Sequence, residues 1–365
     1  MRDLIRKECL LVVAYPVMVF FLLFGIDWKN QNTGMVILVS AFLMLFVVTL
    51  LCATKVASHA EQLAVWFGDP YGTLILTGTA ISIEIFMIVT MMFNDANNPT
   101  LARDTMLSII MIVMNGMIGV ALLLGGLKHR EQGYNLQGAN AYLSIIMVLA
   151  VLGLVMPTFT VTMHGLSLSR HQSIVLAAVA VLLYIVFLFV QTARHSNYFR
   201  DADEGGTAPT LRKPPYPIIL HASCMLLYLV PVFILAKKIA LPLDYAIDQL
   251  GAPPALGGLV VGLLVATPEA LEGIRAALKN HVQRSVNVFL GSILGSIGLT
   301  IPVILLVSLV FNKEVLLGLE HADLVMLILT LALGTVTLSS GKTNILQGCI
   351  HLALFAFYVL LIFEG

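Results

Sequence analysis

Long apolar runs separated by short polar joints set the pattern of this chain. Eleven runs approach the ~20 mostly apolar residues that a membrane-spanning helix needs. They cover 9–26, 34–53, 71–93, 104–127, 141–163, 172–192, 217–236, 257–278, 286–311, 322–339 and 345–363. The joints are short, as in Asp27-Trp28-Lys29-Asn30-Gln31-Asn32 between the first two runs. No run alternates with period two, which excludes a β-barrel and predicts an all-α integral membrane protein of eleven transmembrane helices. Arg2, Arg6 and Lys7 ahead of the first run share the layout of a signal peptide. No small-residue cleavage site follows and the run is long enough to span, so it reads as an uncleaved first helix.

Composition agrees with the pattern. Of 365 residues, 59% are hydrophobic and 11% charged, with a mean hydropathy of +0.96, whereas soluble domains carry about 25% charged residues. A net charge of zero gives no electrostatic case for nucleic acid. Cys9, Cys52, Cys224 and Cys349 all sit in apolar runs without a CxxC pair, so they read as packing residues rather than a disulfide or zinc framework. Counted over alternate joints, the 20 Lys and Arg residues divide 14 to 6. The positive-inside rule then places the N-terminus in the cytoplasm and the C-terminus in the periplasm of a cell inner membrane.

The longest polar stretch, 193–216, holds Asp201, Asp203 and Glu204 and ends in Pro214-Pro215-Tyr216-Pro217. It reads as a solvated cytoplasmic linker between two halves. The chain then divides into helix 1 (1–33), a first half (34–192, helices 2–6), the linker (193–216) and a second half (217–365, helices 7–11). Five spans per half force opposite orientations, the inverted repeat common in secondary transporters. Spacing supports this. Gly72 precedes Glu84 by twelve residues and Gly257 precedes Glu269 by twelve; Ser108 follows Glu84 by 24 and Ser292 follows Glu269 by 23.

Glu84 and Glu269 are the candidate exchange residues, each near the middle of an apolar run. A carboxylate at the bilayer centre costs several kcal/mol unless it is solvated, paired or protonated. Thr77, Thr79 and Ser82 precede the first acid, and Thr267 and Pro268 the second. Pro268 removes a backbone donor and frees a carbonyl one turn earlier. Two-fold symmetry in the membrane plane would bring the two acids together. There they would titrate as a coupled pair, and a hard cation would compete with their protons. Elsewhere, Glu272 is expected to pair with Arg275 along its own helix, and Asp104 to cap helix 4. Asn115 is expected to bond between helices, and His221 and His351 to be satisfied packing residues. Steps such as Gly291-Ser292 and Gly295-Ser296 suit close helix packing. No HExxH, GxSxG or phosphate-binding loop occurs, so no enzyme and no cofactor is expected. The expected partners are inorganic cations, protons and the lipid bilayer, and a homo-oligomer stays open.

Several stretches together resemble the cation/proton exchanger family of the cation/Ca²⁺ exchanger superfamily, and within it the bacterial Ca²⁺/Na⁺/K⁺–H⁺ antiporters. They are Gly68-Asp69-Pro70-Tyr71-Gly72-Thr73-Leu74 through Glu84, then Arg103-Asp104-Thr105-Met106-Leu107-Ser108. Gly125-Gly126 with Glu131-Gln132 follows, then Pro268-Glu269 through Lys279-Asn280. Gly341-Lys342-Thr343-Asn344 with His351 and Tyr358 completes the set. The resemblance implies eleven helices with the first outside the repeat, signature acids at Glu84 and Glu269, and ion-ligating serines at Ser108 and Ser292. It also implies that the first helix of each half slides during transport. Eukaryotic members carry Asn three residues before each acid, where this chain has Ile81 and Ala266. A family His is Ala270 here, and a family Gln is Gly295. With fewer oxygens, the site is expected to admit Na⁺ or K⁺ as well as Ca²⁺. Two other readings compete: a passive cation channel, which would present filter loops from several subunits, and a monovalent-only antiporter.

Overall fold

The computed structural model describes residues 8–24, 35–68, 71–93, 99–160, 168–200 and 216–364. The joint at 27–32 and the linker acids Asp201, Asp203 and Glu204 lie outside the described residues. Among the described residues the apolar helices in order are α1 (Leu10–Leu23), α2 (Met35–Phe67), α3 (Tyr71–Met92), α4 (Leu101–His129), α5 (Leu136–Phe159), α6 (Arg170–Arg194), α7 (Ile218–Leu250), α8 (Ala255–Leu278), α9 (Val282–Phe311), α10 (His321–Thr337) and α11 (Ile345–Glu364). Among the described residues nine are long and apolar enough to cross a membrane, while α1 and α10 are shorter.

Two helices run more than ten residues past the end of their apolar runs. Both α2 and α7 have 33 residues, against apolar runs that end at 53 and 236. Lys55 and the Lys237-Lys238 pair mark the end of the hydropathic stretch but not of the helix, because lysine is a good helix former and its stem packs on apolar surface. Local signals set other ends. Ser169 and Gln172 form a capping box at the start of α6, and Asn135 caps α5 by accepting from the amides of Gln137 and Gly138. Gly251 closes α7 in the left-handed region at φ 69°. Four helical segments are π-wound: Met111–Met117 in α4, Val151–Val155 in α5, Val190–Arg194 in α6 and Ser296–Thr300 in α9.

By contacts the chain forms two compact units, and the boundary falls inside α8. The first comprises Met1–Asn98 and Arg212–Pro268. Its centre is the mutual packing of α2, α3 and α7, with α1 laid on α2 and α7. Leu45, Cys52, Val56, Val232 and Leu235 are buried there, and Phe86 stacks on Phe233 at 4.0 Å. The second comprises Pro99–Leu211 and Glu269–Gly365. Most of α4 is buried at its centre, packed against α11. Small residues make that approach feasible: a Cβ built on Gly348 would lie 2.6 Å from the Leu123 amide nitrogen.

The connecting loops of the second unit are knitted by the Gly-, Gln- and Asn-containing motifs of the sequence. A two-residue bridge pairs Gln132-Gly133 with Lys342-Thr343. The buried Gln132 amide donates to Ala277 O and to Asn280 Oδ1, and Lys128 and His129 bond Leu278 O at the end of α8. These motifs hold the loops, which is a structural role. Cys52 and Cys224 are buried as packing residues, whereas Cys9 and Cys349 are exposed. The outward faces are strongly apolar, with Val36 at 82% exposure, as a lipid-facing surface requires.

Candidate functional site

Helix α3 positions Glu84. The residue stands 13 positions after Tyr71, and its surface exposure is 1%. Residues three and four apart share a helix face, so Ile81, Met87 and Ile88 flank it, all buried. On its own helix the acid is therefore flanked by apolar side chains. Thr77, two turns earlier on the same face, is half-buried. Ser82 is placed differently: it is exposed, and its hydroxyl donates to Gly78 O at 2.6 Å within α3. The helix runs unbroken through Gly78.

Helix α8 positions Glu269, 14 residues after Ala255 and half-buried. Pro268 lies inside a continuous helix. Its missing N–H withdraws the usual donor from the Leu264 carbonyl, and one residue earlier Thr267 donates its hydroxyl to Leu263 O at 2.5 Å. The positions one turn before the two acids, Ile81 and Ala266, are both buried and apolar. Further along α8 the expected pairing is corrected. Glu272 accepts from Arg284 of α9 at 2.7 Å, not from Arg275. The α9 guanidinium approaches one Glu272 oxygen with both Nε and Nη2, two charge-assisted donors.

Ser108 on α4 is fully buried (0% exposed), and its hydroxyl meets that of Tyr358 from α11 at 2.8 Å. Ser292 on α9 is half-buried. Each of these serines is followed within four residues by a π segment, starting at Met111 and at Ser296. Such turns widen the helix and recur at functional sites. Sequence reasoning missed Thr105 and Thr300. Both are fully buried on the same two helices, with hydroxyls that have no hydrogen-bond partner among the described residues. The signal that could have found them is a hydroxyl within an apolar run near each proposed serine.

Asp104 does not cap α4. The helix begins at Leu101, and Asp104 lies buried in its first turn. It accepts from Arg103 Nε and from the Thr100 hydroxyl, each at 2.8 Å. Arg103 in turn donates to Gly318 O and reaches Glu320 at 3.5 Å. The expected interhelical role of Asn115 holds. Its amide nitrogen donates to Thr330 of α10, and its oxygen faces His351 Nδ1 of α11 at 3.0 Å. Asn115 Oδ1 can only accept, so His351 carries its proton on Nδ1 and accepts from Thr337 through Nε2, at 3.0 Å. That histidine is satisfied, as expected. His221 is satisfied only at Nδ1, which meets His59.

The chain is similar to known proteins along most of its length. Residues 37–193 and 221–364 match the family described as sodium/calcium exchanger protein. The chain is 41% identical over 325 residues to y4hA of Sinorhizobium fredii, covering 88% of this chain and 89% of that one. It is 36% identical over 362 residues to the sodium-potassium/proton antiporter ChaA of Escherichia coli, covering 98% and 97%. It shares the fold of the crystal structure of the selenium-substituted Ca²⁺/H⁺ antiporter YfkE, with a TM-score of 0.73 at 17% identity over 98% of this chain and 99% of that one.

Proposed function

The chain belongs to the sodium/calcium exchanger protein family, and we propose that it is a secondary antiporter that extrudes cytoplasmic Ca²⁺, and also Na⁺ or K⁺, in exchange for external protons. It is a multi-pass membrane transporter and not an enzyme. In this reading Glu84 and Glu269 take up either cation or protons, and access alternates between the two sides of the membrane. The observation that carries it is Glu84, a carboxylate 1% exposed in the middle of an apolar helix. Thr77, Ser108, Thr267 and Ser292 supply further oxygens. Ser82 takes part only if its hydroxyl leaves Gly78.

The lengths of the first three helices in each half support two inverted five-helix repeats, α2–α6 and α7–α11, with α1 outside them, whereas the last two pairs differ, at 24 and 17 and at 25 and 20 residues. The paired lengths are 33 and 33 for α2 and α7, 22 and 24 for α3 and α8, and 29 and 30 for α4 and α9. The two acids occupy matching depths in their helices, and a π turn follows each proposed serine. The 14-to-6 basic bias gives an inner-membrane protein with its N-terminus in the cytoplasm and its C-terminus outside.

The apolar residues at Ile81 and Ala266 favour a second, narrower reading, antiport of Na⁺ and K⁺ alone. Everted membrane vesicles with an acid interior separate the possibilities. Adding Ca²⁺, Na⁺ or K⁺ outside should release protons from the lumen with all three ions, or with the monovalent pair alone under the narrower reading. Cation entry without any proton release would identify a channel and overturn both.

A further inference from the structure

A buried group of titratable side chains lies away from both glutamates, in the first unit, where the ends of α1, α2 and α7 meet. His59 of α2 and His221 of α7 are 7% and 6% exposed, and their Nδ1 atoms stand 3.1 Å apart. His59 Nε2 lies 3.5 Å from Glu8 Oε2, at the start of α1. Lys55 and Tyr228 donate to the same Glu8 oxygen at 3.3 and 2.8 Å. Sequence reading overlooked the group because its members are spread from Glu8 to Tyr228, with His59 and His221 themselves 162 residues apart.

The Glu8 charge orders the protons. Two facing imidazole nitrogens can bond only if one carries hydrogen and the other a lone pair. The Nε2 atoms of both histidines are buried with no hydrogen-bond partner among the described residues, but only that of His59 lies 3.5 Å from a carboxylate, whose charge favours the hydrogen there, so its Nδ1 accepts. His221 then donates through Nδ1 and leaves Nε2 bare. One added proton can be housed: His59 becomes a cation beside Glu8, and His221 turns its lone pair inward. A second added proton leaves two N–H groups and two positive charges facing each other at 3.1 Å, which a buried site cannot hold.

We infer that the His59–His221 contact is a proton-counting latch between α2 and α7, closed at neutral and alkaline pH and opened by acid on the face that carries the N-terminus. The other charged and titratable groups around it leave the histidines as the titrating pair. Glu8 precedes α1; Cys52, Lys55 and Glu61 come from α2, Cys224 and Tyr228 from α7, and Tyr216 precedes α7 with its ring 6.1 Å from that of His221. Helix α3, packed on both α2 and α7, has only Tyr71 and Glu84 as titratable groups. The residues of α8 within this unit, 255–268, have none. Burial raises the Glu8 carboxyl, but the Tyr228 hydroxyl, Lys55 and His59 outweigh it and hold the group below its ordinary range. Glu8 therefore stays ionised while an imidazole changes charge. The two helices joined by the latch also pack on α3, the helix of Glu84, so opening it loosens the framework around the exchange residue.

The inference rests on the antiporter reading, and the readouts keep the two apart. Proton competition appears in the half-saturating cation concentration, whereas the latch appears in the rate at saturating cation. In vesicles with the N-terminal face outward, that saturating rate is expected to fall at least about tenfold between about pH 8 and about pH 5, a window that runs below the ordinary imidazole range because the second charge must enter a buried site beside the first. His221→Asn keeps a donor near Nδ1 that does not titrate, and should lose no more than about twofold over the same window. His59→Asn should flatten the profile likewise. If both variants keep the wild-type acid fall, or if the wild type shows none, the latch is overturned. If neither variant is recovered from the membrane, hydrogen exchange of the wild type decides. After correction for intrinsic rates, protection of the α2 and α7 segments around these residues should drop on acidification while that of α4 holds. Unchanged protection in α2 and α7 overturns the inference.

Discussion

Replacement of Glu84 by Gln is expected to reduce cation-dependent proton flux to background, a loss of about a hundredfold or more, while the protein still inserts and folds. Glutamine keeps the size of the side chain but has neither a proton to release nor a full negative charge to offer a cation. Glu84 is buried, with Ile81, Met87 and Ile88 flanking it on its own helix, and a neutral amide is easier to bury in a membrane helix than a carboxylate. Loss of transport would therefore not reflect misfolding. Thermal unfolding of the purified variant in detergent should match or exceed that of the wild type. Near-normal antiport in this variant would remove Glu84 from the mechanism.

Glu269→Gln should be equally damaging, although the residue is half-buried rather than enclosed. The internal control is one turn away. Glu272 is also an acid on α8, but it is paired with Arg284 at 2.7 Å, and that guanidinium is half exposed. Exposed ion pairs contribute only about 0–1 kcal/mol. Glu272→Gln should therefore change the rate by no more than about fivefold, the factor that about 1 kcal/mol represents. The measurement is proton flux in vesicles containing each variant at equal protein density. Equal loss in both variants would mean that charge on this stretch of α8 matters generally, and that Glu269 has no special role.

Much of this architecture was legible in the sequence, because hydropathy reports what lipid demands. A run of apolar residues near spanning length becomes a helix since no other backbone arrangement satisfies itself in hydrocarbon. Glu84 and Glu269 stood out against such runs for the same reason. Legibility failed where the environment was protein or water instead of lipid. The outer turns of α2 and α7, beyond Lys55 and Lys237, carry no hydropathic signal. The π turns after Ser108 and Ser292 follow from packing and have no compositional mark. The placement of Ser82 was readable in principle: two residues before Glu84 is nearly the opposite side of a helix, whereas Thr77, seven before, is on the same side. Asp104 looked like a cap because the apolar run begins there, but the helix starts earlier, at Leu101. The partners of Glu272, Asn115 and His59 are set by tertiary contact, and no local spacing announces them.

The central claim is that protons and cations compete for the same carboxylates, and the pH dependence of apparent affinity tests it most directly. A carboxylate must lose its proton before it can serve as a full-charge ligand, so cation binding weakens as protons become abundant. Cation-dependent proton flux should be measured in vesicles from about pH 6 to about pH 9, a range that covers carboxylates whose proton affinity is raised by burial. The half-saturating concentration of each transported cation is expected to rise steadily as pH falls. A half-saturating concentration that stays constant across the range would show that the two ions do not share a site, and would contradict the mechanism.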